Sequence, residues 1–147
     1  MNSHSGTSNI KVRGEKVKEY TTEMDEYWNE AGGRKWVDNL LRIEKILEPI
    51  GSKMIEIMKE EAHVKVLDVG CGGADLAAKI ASLLGQGSEV TASDISQHIL
   101  DEAKRNHRCA NLRFLQCDVE NYDFDPHLFD VVISRFGVMF FENPLKA

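Results

Sequence analysis

Between Trp36 and Ile57 the apolar residues Trp36, Leu40, Ile43, Leu47, Ile50, Met54 and Ile57 recur at intervals of three and four. Such spacing lines one face of a helix packed against something larger. Pro49 and Gly51 interrupt the run, so the pattern predicts two helices, near 34–48 and 52–60, the second capped by Ser52. The stretch is too short, and its proline too disruptive, for a coiled-coil seam. From Val64 the period changes. Apolar, β-branched runs at 64–69, 89–93, 112–116 and 129–134 read as strands. Asp75–Leu84 returns to helical spacing, and Ser93, Asp94 or Ser96 can cap a further helix behind the second strand. Strands alternating with helices predict an α/β fold.

The junction Val64-Lys-Val-Leu-Asp-Val-Gly-Cys-Gly-Gly-Ala74 carries the most chemistry. It reads as strand, tight turn and helix start. Without a Cβ, Gly70 and Gly72 let the backbone bend sharply and let a ligand lie against the amides. The following helix presents free N–H groups and partial positive charge. Asp68, two residues before the first glycine, would repel a phosphate but suits a ligand carrying an ammonium and hydroxyls. A dinucleotide fingerprint would need a glycine where Asp75 stands, and a phosphate loop would need Gly-Lys-Ser/Thr. Glycines that serve packing alone are the plain alternative.

The next strands also end in acids. Asp94 closes the second, close to the position, about 20 residues past a glycine turn, where an acid accepts from ribose hydroxyls. A helix-capping role competes with that reading. Asp118 closes the third strand and suits an exocyclic amine such as that of adenine.

With these residues in place, the chain resembles the class I S-adenosylmethionine-dependent methyltransferases. Val66-Leu-Asp-Val-Gly-Cys-Gly72 is similar to their first motif, Thr91-Ala-Ser-Asp94 to their second acid, and Leu115-Gln-Cys-Asp-Val119 to their adenine-side motif. Phe129–Phe141 resembles their fourth strand and the active-site segment behind it. Within the family, the likeness is to the ubiquinone and menaquinone biosynthesis subgroup, which Tyr27-Trp28-Asn29, Gly33 and Trp36-Val37 also resemble. One departure is Ala74, where the family has its third glycine.

The resemblance implies a Rossmann-like fold, S-adenosyl-L-methionine as cofactor, and roles for particular residues. Gly70, Cys71 and Gly72 would line its methionine part, with Asp68 behind the turn near the ammonium. Asp94 would hold the ribose hydroxyls and Ile95 would pack on the adenine. Asp118 would take the adenine amine, Val119 would offer its backbone N–H, and Ser134, Arg135 and Phe136 would border the reactive methyl. No catalytic dyad is expected, because a sulfonium methyl is already activated and needs alignment above all. Arg135 can position an anionic acceptor, or it can pair with one of the nearby acids.

The family sheet has seven strands in the order 3-2-1-4-5-7-6, and four strands are legible here. The expected organisation is therefore a disordered tail over 1–12, a helical segment over 13–60, and the cofactor-binding half of a methyltransferase domain over 61–147, truncated after its fourth strand. Val131–Ile133 would then form a sheet edge open to self-association, and the chain alone is expected to turn over little or no substrate.

Composition narrows the remainder. At 42% hydrophobic and 29% charged residues the chain has the balance of a soluble globular protein. A net charge of −6 without a basic stripe argues against nucleic acid as partner, leaving a small-molecule methyl acceptor. No apolar stretch is long enough to span a bilayer, and residues 1–9 are too polar for a signal peptide. Cys71, Cys109 and Cys117 lack metal-ligand spacing, and their odd count suits a reducing compartment such as the cytoplasm. No histidine pair has zinc-binding spacing. Two other functions remain open at this point: an NAD-dependent oxidoreductase, disfavoured by Asp68 and the missing glycine, and an inactive half-domain that binds only cofactor or a partner chain.

Overall fold

The computed structural model describes residues 23–59 and 63–145, so the tail expected over 1–12 lies outside them. Three helices come first: α1 (Glu23–Asn29), α2 (Ala31–Asp38) and α3 (Leu40–Met58). Then follow β1 (Lys65–Val69), α4 (Asp75–Leu84), β2 (Glu89–Asp94), α5 (Gln97–Asn106), β3 (Leu112–Gln116) and β4 (Val131–Ile133), with a 3-10 turn at Gly137–Phe140. The four strands form one parallel sheet in the order β3-β2-β1-β4. This is the α/β, Rossmann-like arrangement that the alternating pattern anticipated.

The core lies where β1 and β2 meet α4. Val66, Ala77, Ile80, Ala81, Val90 and Ala92 have no accessible surface. Apolar runs without alternation suit strands covered on both faces. Helix ends are closed by side chains from neighbouring elements. Asn111, just before β3, donates through Nδ2 to the carbonyls of Ala81 and Gly85 at 2.8 and 2.9 Å, satisfying the end of α4. Ser96 caps α5 by accepting from the Ile99 N–H at 3.3 Å.

The N-terminal helices depart from the sequence reading. Pro49 lies inside α3 and does not end it, Ser52 sits mid-helix, and the break falls at Asn39. Asn39 competes for the backbone: its Nδ2 donates to the Lys35 carbonyl at 2.8 Å, drawing off an acceptor at the end of α2. Pro49 is exposed and removes one helical N–H, while α3 stays packed on α4. The buried face also differs. Leu40, Gly51 and Met58 are buried, whereas Ile50 and Ile57 are 43% and 69% exposed. The expected apolar series follows a 3.5-residue repeat, and a straight helix of 3.6 residues per turn drifts about 20° from it every seven residues. Ile50 and Ile57 thus fall outside the buried face, while Met54 of the same series still packs against the core.

Candidate functional site

The carboxyl ends of the four parallel strands converge on a cleft of about 730 Å³, its open mouth included. Crevices at this end of open α/β sheets are where ligands bind. Gly70, Gly72, Asp94, Ile95, Val119 and Arg135 line it, together with Phe136. Residues from four separate sequence segments are thus brought to one wall.

The turn after β1 is built from left-handed backbone, with φ of 67° at Gly70 and 55° at Gly72. A Cβ at Gly70 would come within 2.7 Å of Gly137 Cα. The glycine therefore also serves the close approach of the 3-10 turn. Ala74 holds φ 60° as the residue before α4, a conformation costly for a residue with a Cβ.

Asp94 stitches the site together. Its Oδ2 accepts from the Gly72 N–H at 3.0 Å and its Oδ1 from the Ser96 N–H at 2.9 Å. Burial pushes its pKa up to about 6, against the lowering effect of these backbone donors. Asp68 is more deeply buried. Its pKa rises to about 7, chiefly through burial, with the Arg135 charge pulling the other way. Its Oδ2 has no hydrogen-bond partner among the described residues.

Several anticipated residues do not face the cleft. The Cys71 side chain turns into the hydrophobic core, and burial lifts its thiol pKa well above the usual range. Its backbone N–H donates to the Ser93 carbonyl at 2.9 Å, so it fixes the turn. Asp118 accepts from the Glu120 N–H and Asn121 Nδ2 at 3.1 and 2.6 Å, closing its own loop, while Cys117 and Val119 on either side line the cleft. Ser134 donates to the Val69 carbonyl at 2.8 Å and accepts from the Val138 N–H, bracing the segment behind β4. Asp68 stands behind the turn and also does not reach the lining. Arg135 reaches the cleft, but its Nη2 lies 2.6 and 2.7 Å from the two oxygens of Glu44 on α3. Both side chains are largely buried. The pairing reading of Arg135 is the one realised.

Glu44 escaped the sequence reading, although a signal existed. It lies four residues after Leu40 and seven before Gly51, on the face that the helix buries. An acid there needs a partner. Gly51 supplies room for that partner, since a Cβ on it would stand 3.0 Å from Arg135 Nη1.

Trp28 and Trp36 from α1 and α2 form part of the cleft wall, whereas Tyr27 does not. Trp28 meets Phe140 edge-to-face at 5.1 Å and Trp36 at 5.8 Å. Asn29 anchors this cover: its Nδ2 donates to the Ile95 carbonyl at 3.1 Å and its Oδ1 accepts from the Gln97 N–H at 2.9 Å. Among the described residues no cluster of metal-ligating side chains occurs, and no helix is long and apolar enough to cross a membrane.

Comparison with known proteins agrees with this architecture. A family described as "Methyltransferase domain" matches residues 66–147. A demethylmenaquinone methyltransferase of Chlorobaculum tepidum is 37% identical over 86 residues, covering 58% of this chain and 34% of that protein. A ubiquinone/menaquinone biosynthesis C-methyltransferase of Ectopseudomonas oleovorans is 34% identical over 88 residues, covering 57% and 52%. A crystal structure assigned as an S-adenosyl-L-methionine-dependent methyltransferase of Methanococcus maripaludis superposes with a TM-score of 0.62 at 25% identity, covering 74% of this chain and 52% of that one. The chain thus spans about a third to a half of the length of these curated relatives.

Proposed function

This chain belongs to the methyltransferase-domain family, and on that premise we propose that it binds S-adenosyl-L-methionine in the cleft and serves methyl transfer to a small-molecule acceptor. The observation that carries the reading is the convergence of the left-handed Gly70–Gly72 turn, Asp94, Ile95 and Val119 on one cleft. Behind the turn, the buried Asp68 carboxyl, with Oδ2 unpartnered among the described residues, adds a negative charge that favours an ammonium at that end. These residues fit the cofactor: an acid at the ribose end, apolar walls at the adenine end, and a carboxylate behind the turn.

S-Adenosylmethionine, when bound, supplies a methyl group already activated by the sulfonium. The protein's part is to align and to exclude water. Asp94 would accept from the ribose hydroxyls while keeping its bonds to Gly72 and Ser96. Ile95 and Val119 would flank the base, with Asp118 holding the Val119 loop in shape. Trp28, Phe136 and Phe140 would keep the reacting end dry. Cys117, whose thiol burial pushes up to about 12, stays protonated and acts as a small neutral wall. Arg135, neutralised by Glu44, would shape the acceptor side. The relatives' names, which concern quinone biosynthesis, favour a small organic acceptor, and a net charge of −6 disfavours nucleic acid. Free thiols at Cys71, Cys109 and Cys117 support a reducing compartment such as the cytoplasm.

Titration with S-adenosylhomocysteine tests the site. Asp94→Ala should weaken binding by about 1.5–3 kcal/mol, the scale of a hydrogen bond to a charged group. Unchanged affinity in a folded Asp94→Ala protein would remove Asp94 from the site. Methyl transfer to bulk tRNA, rRNA or DNA as fast as to small acceptors would refute the substrate class.

A further inference from the structure

We infer that the indole N–H of Trp36 is the donor that receives the carboxylate at the amino-acid end of the cofactor. The inference rests on the cofactor reading above and assigns a recognition contact to a residue of the helical cover. Trp36 Nε1 is buried, has no hydrogen-bond partner among the described residues, and belongs to a ring that lines the cleft. Buried donors without partners are rare in folded proteins, because an unmade bond leaves the desolvation cost uncompensated. A partner that arrives with a ligand resolves the deficit.

Position identifies the partner. A Cβ on Gly72 would stand 3.0 Å from Trp36 Nε1, so the indole edge lies directly on the glycine turn. On the β1 side of that turn sits the other orphan, Asp68 Oδ2, an acceptor. One turn is therefore flanked by an unpaired donor and an unpaired acceptor. A zwitterionic α-amino acid group suits both: its carboxylate can meet Trp36 at the lining, and its ammonium is attracted by the Asp68 carboxyl behind the turn.

The described charges around the cleft are already engaged. Among the described lining residues the one cation is Arg135, and its Nη2 is held by both oxygens of Glu44. The two lining acids, Asp94 and Glu120, already accept backbone N–H groups. Among the described lining residues no cation is left unpaired for a carboxylate, and the neutral indole N–H is the unengaged donor beside the turn.

Three ligands and one variant test the inference by calorimetry on the full chain: S-adenosylmethionine, its decarboxylated analogue, which keeps the ammonium, and 5′-methylthioadenosine, which lacks the amino-acid end. The wild type should bind S-adenosylmethionine about tenfold more tightly than the decarboxylated form, matching about 1.4 kcal/mol for one hydrogen bond to a charge. Trp36→Phe should lose about tenfold for S-adenosylmethionine and less than about twofold for the decarboxylated form, so the preference disappears. A Trp36→Phe protein that retains the preference overturns the inference and leaves the cofactor reading intact. The wild type provides a second readout independent of the variant's folding. With only two tryptophans in the chain, the Trp36 indole ¹⁵N–H resonance is readily assigned. It should move downfield with S-adenosylmethionine and stay in place with the decarboxylated form, and an unmoved resonance overturns the inference. Failure of all three ligands to bind the wild type would instead defeat the cofactor reading itself.

Discussion

A buried carboxyl with one unpartnered oxygen, as at Asp68, ties stability to pH in a defined direction. Its pKa in the folded protein is about 7, above the ordinary value of 3.8. The folded state therefore holds a proton that the unfolded chain has released, and stability falls as pH rises from about 4 through about 7, then levels. Asp94, raised to about 6, contributes in the same sense. Both ionised carboxyls therefore cost stability at neutral pH, and the costs are shared, since the Asp94 charge helps to raise Asp68. Asp68→Asn removes one of these costs. Its stability relative to wild type, measured by urea unfolding, should improve steadily between pH 4.5 and 7.5; a difference that stays constant across that range would mean that Asp68 titrates normally. Ligand binding provides the mirror image. An ammonium across the glycine turn from Asp68 stabilises its ionised form, so affinity for S-adenosylhomocysteine should rise with pH through about 7 in the wild type and flatten in Asp68→Asn. Ala74 poses a different residue-level problem, since its left-handed backbone tolerates a methyl group but not a branch at Cβ. Ala74→Val should destabilise by at least about 2 kcal/mol, combining strain with overpacking at a site without accessible surface. Ala74→Gly should stay within about 1 kcal/mol of wild type, because relief of the backbone is offset by loss of about 0.8 kcal/mol of methyl burial. Thermal unfolding of both variants checks the pair.

At the scale of elements, α3 is held to the sheet by more than its apolar face. The Glu44–Arg135 pair joins it to the segment behind β4 across 91 residues of sequence. Removing one partner of a buried pair strands the other charge, so Glu44→Ala should cost about 3–5 kcal/mol in denaturant unfolding. Replacing both partners with methionine should recover most of that loss, because the apolar side chains bring no desolvation penalty. A double variant as unstable as Glu44→Ala would show that the pair contributes something beyond mutual neutralisation. The same contact explains how the proline is tolerated. Pro49 removes one helical hydrogen bond on the exposed side, while the opposite side of α3 is fixed by the ion pair and by Leu40 and Met58.

On the scale of the whole molecule, β4 is an outer strand of the described sheet, and its middle residue Val132 is 63% exposed. A short apolar edge without a charge offers its unpaired N–H and C=O groups to another strand. We propose that this edge supports self-association. Sedimentation should show a weight-average mass that rises with concentration, and Val132→Lys should suppress the rise. A monomer at all concentrations in both proteins would rule the edge out as a contact surface.

Much of this architecture was written in short-range patterns. The alternation of apolar strand runs with helical spacing from Val64 onward yielded an α/β sheet, the glycine turn after β1, and acids at or just beyond the ends of β1, β2 and β3. These features are legible because the residues that make a strand, a tight turn or a cap lie within a few positions of one another, and their preferences act before any packing. What the tertiary structure alone decided lies across long separations. It turned Cys71 into the core and Ser134 onto the backbone, spent Asp118 on its own loop, and gave Arg135 to Glu44. It carried α3 through Pro49 and rotated Ile50 and Ile57 away from the core. It also laid Trp36 on Gly72, leaving the indole nitrogen buried without a partner. No local pattern specifies such pairings, because each depends on the distance and burial that two remote segments acquire only when packed together, where the cost of leaving a charge or a donor unpaired sets which side chains meet.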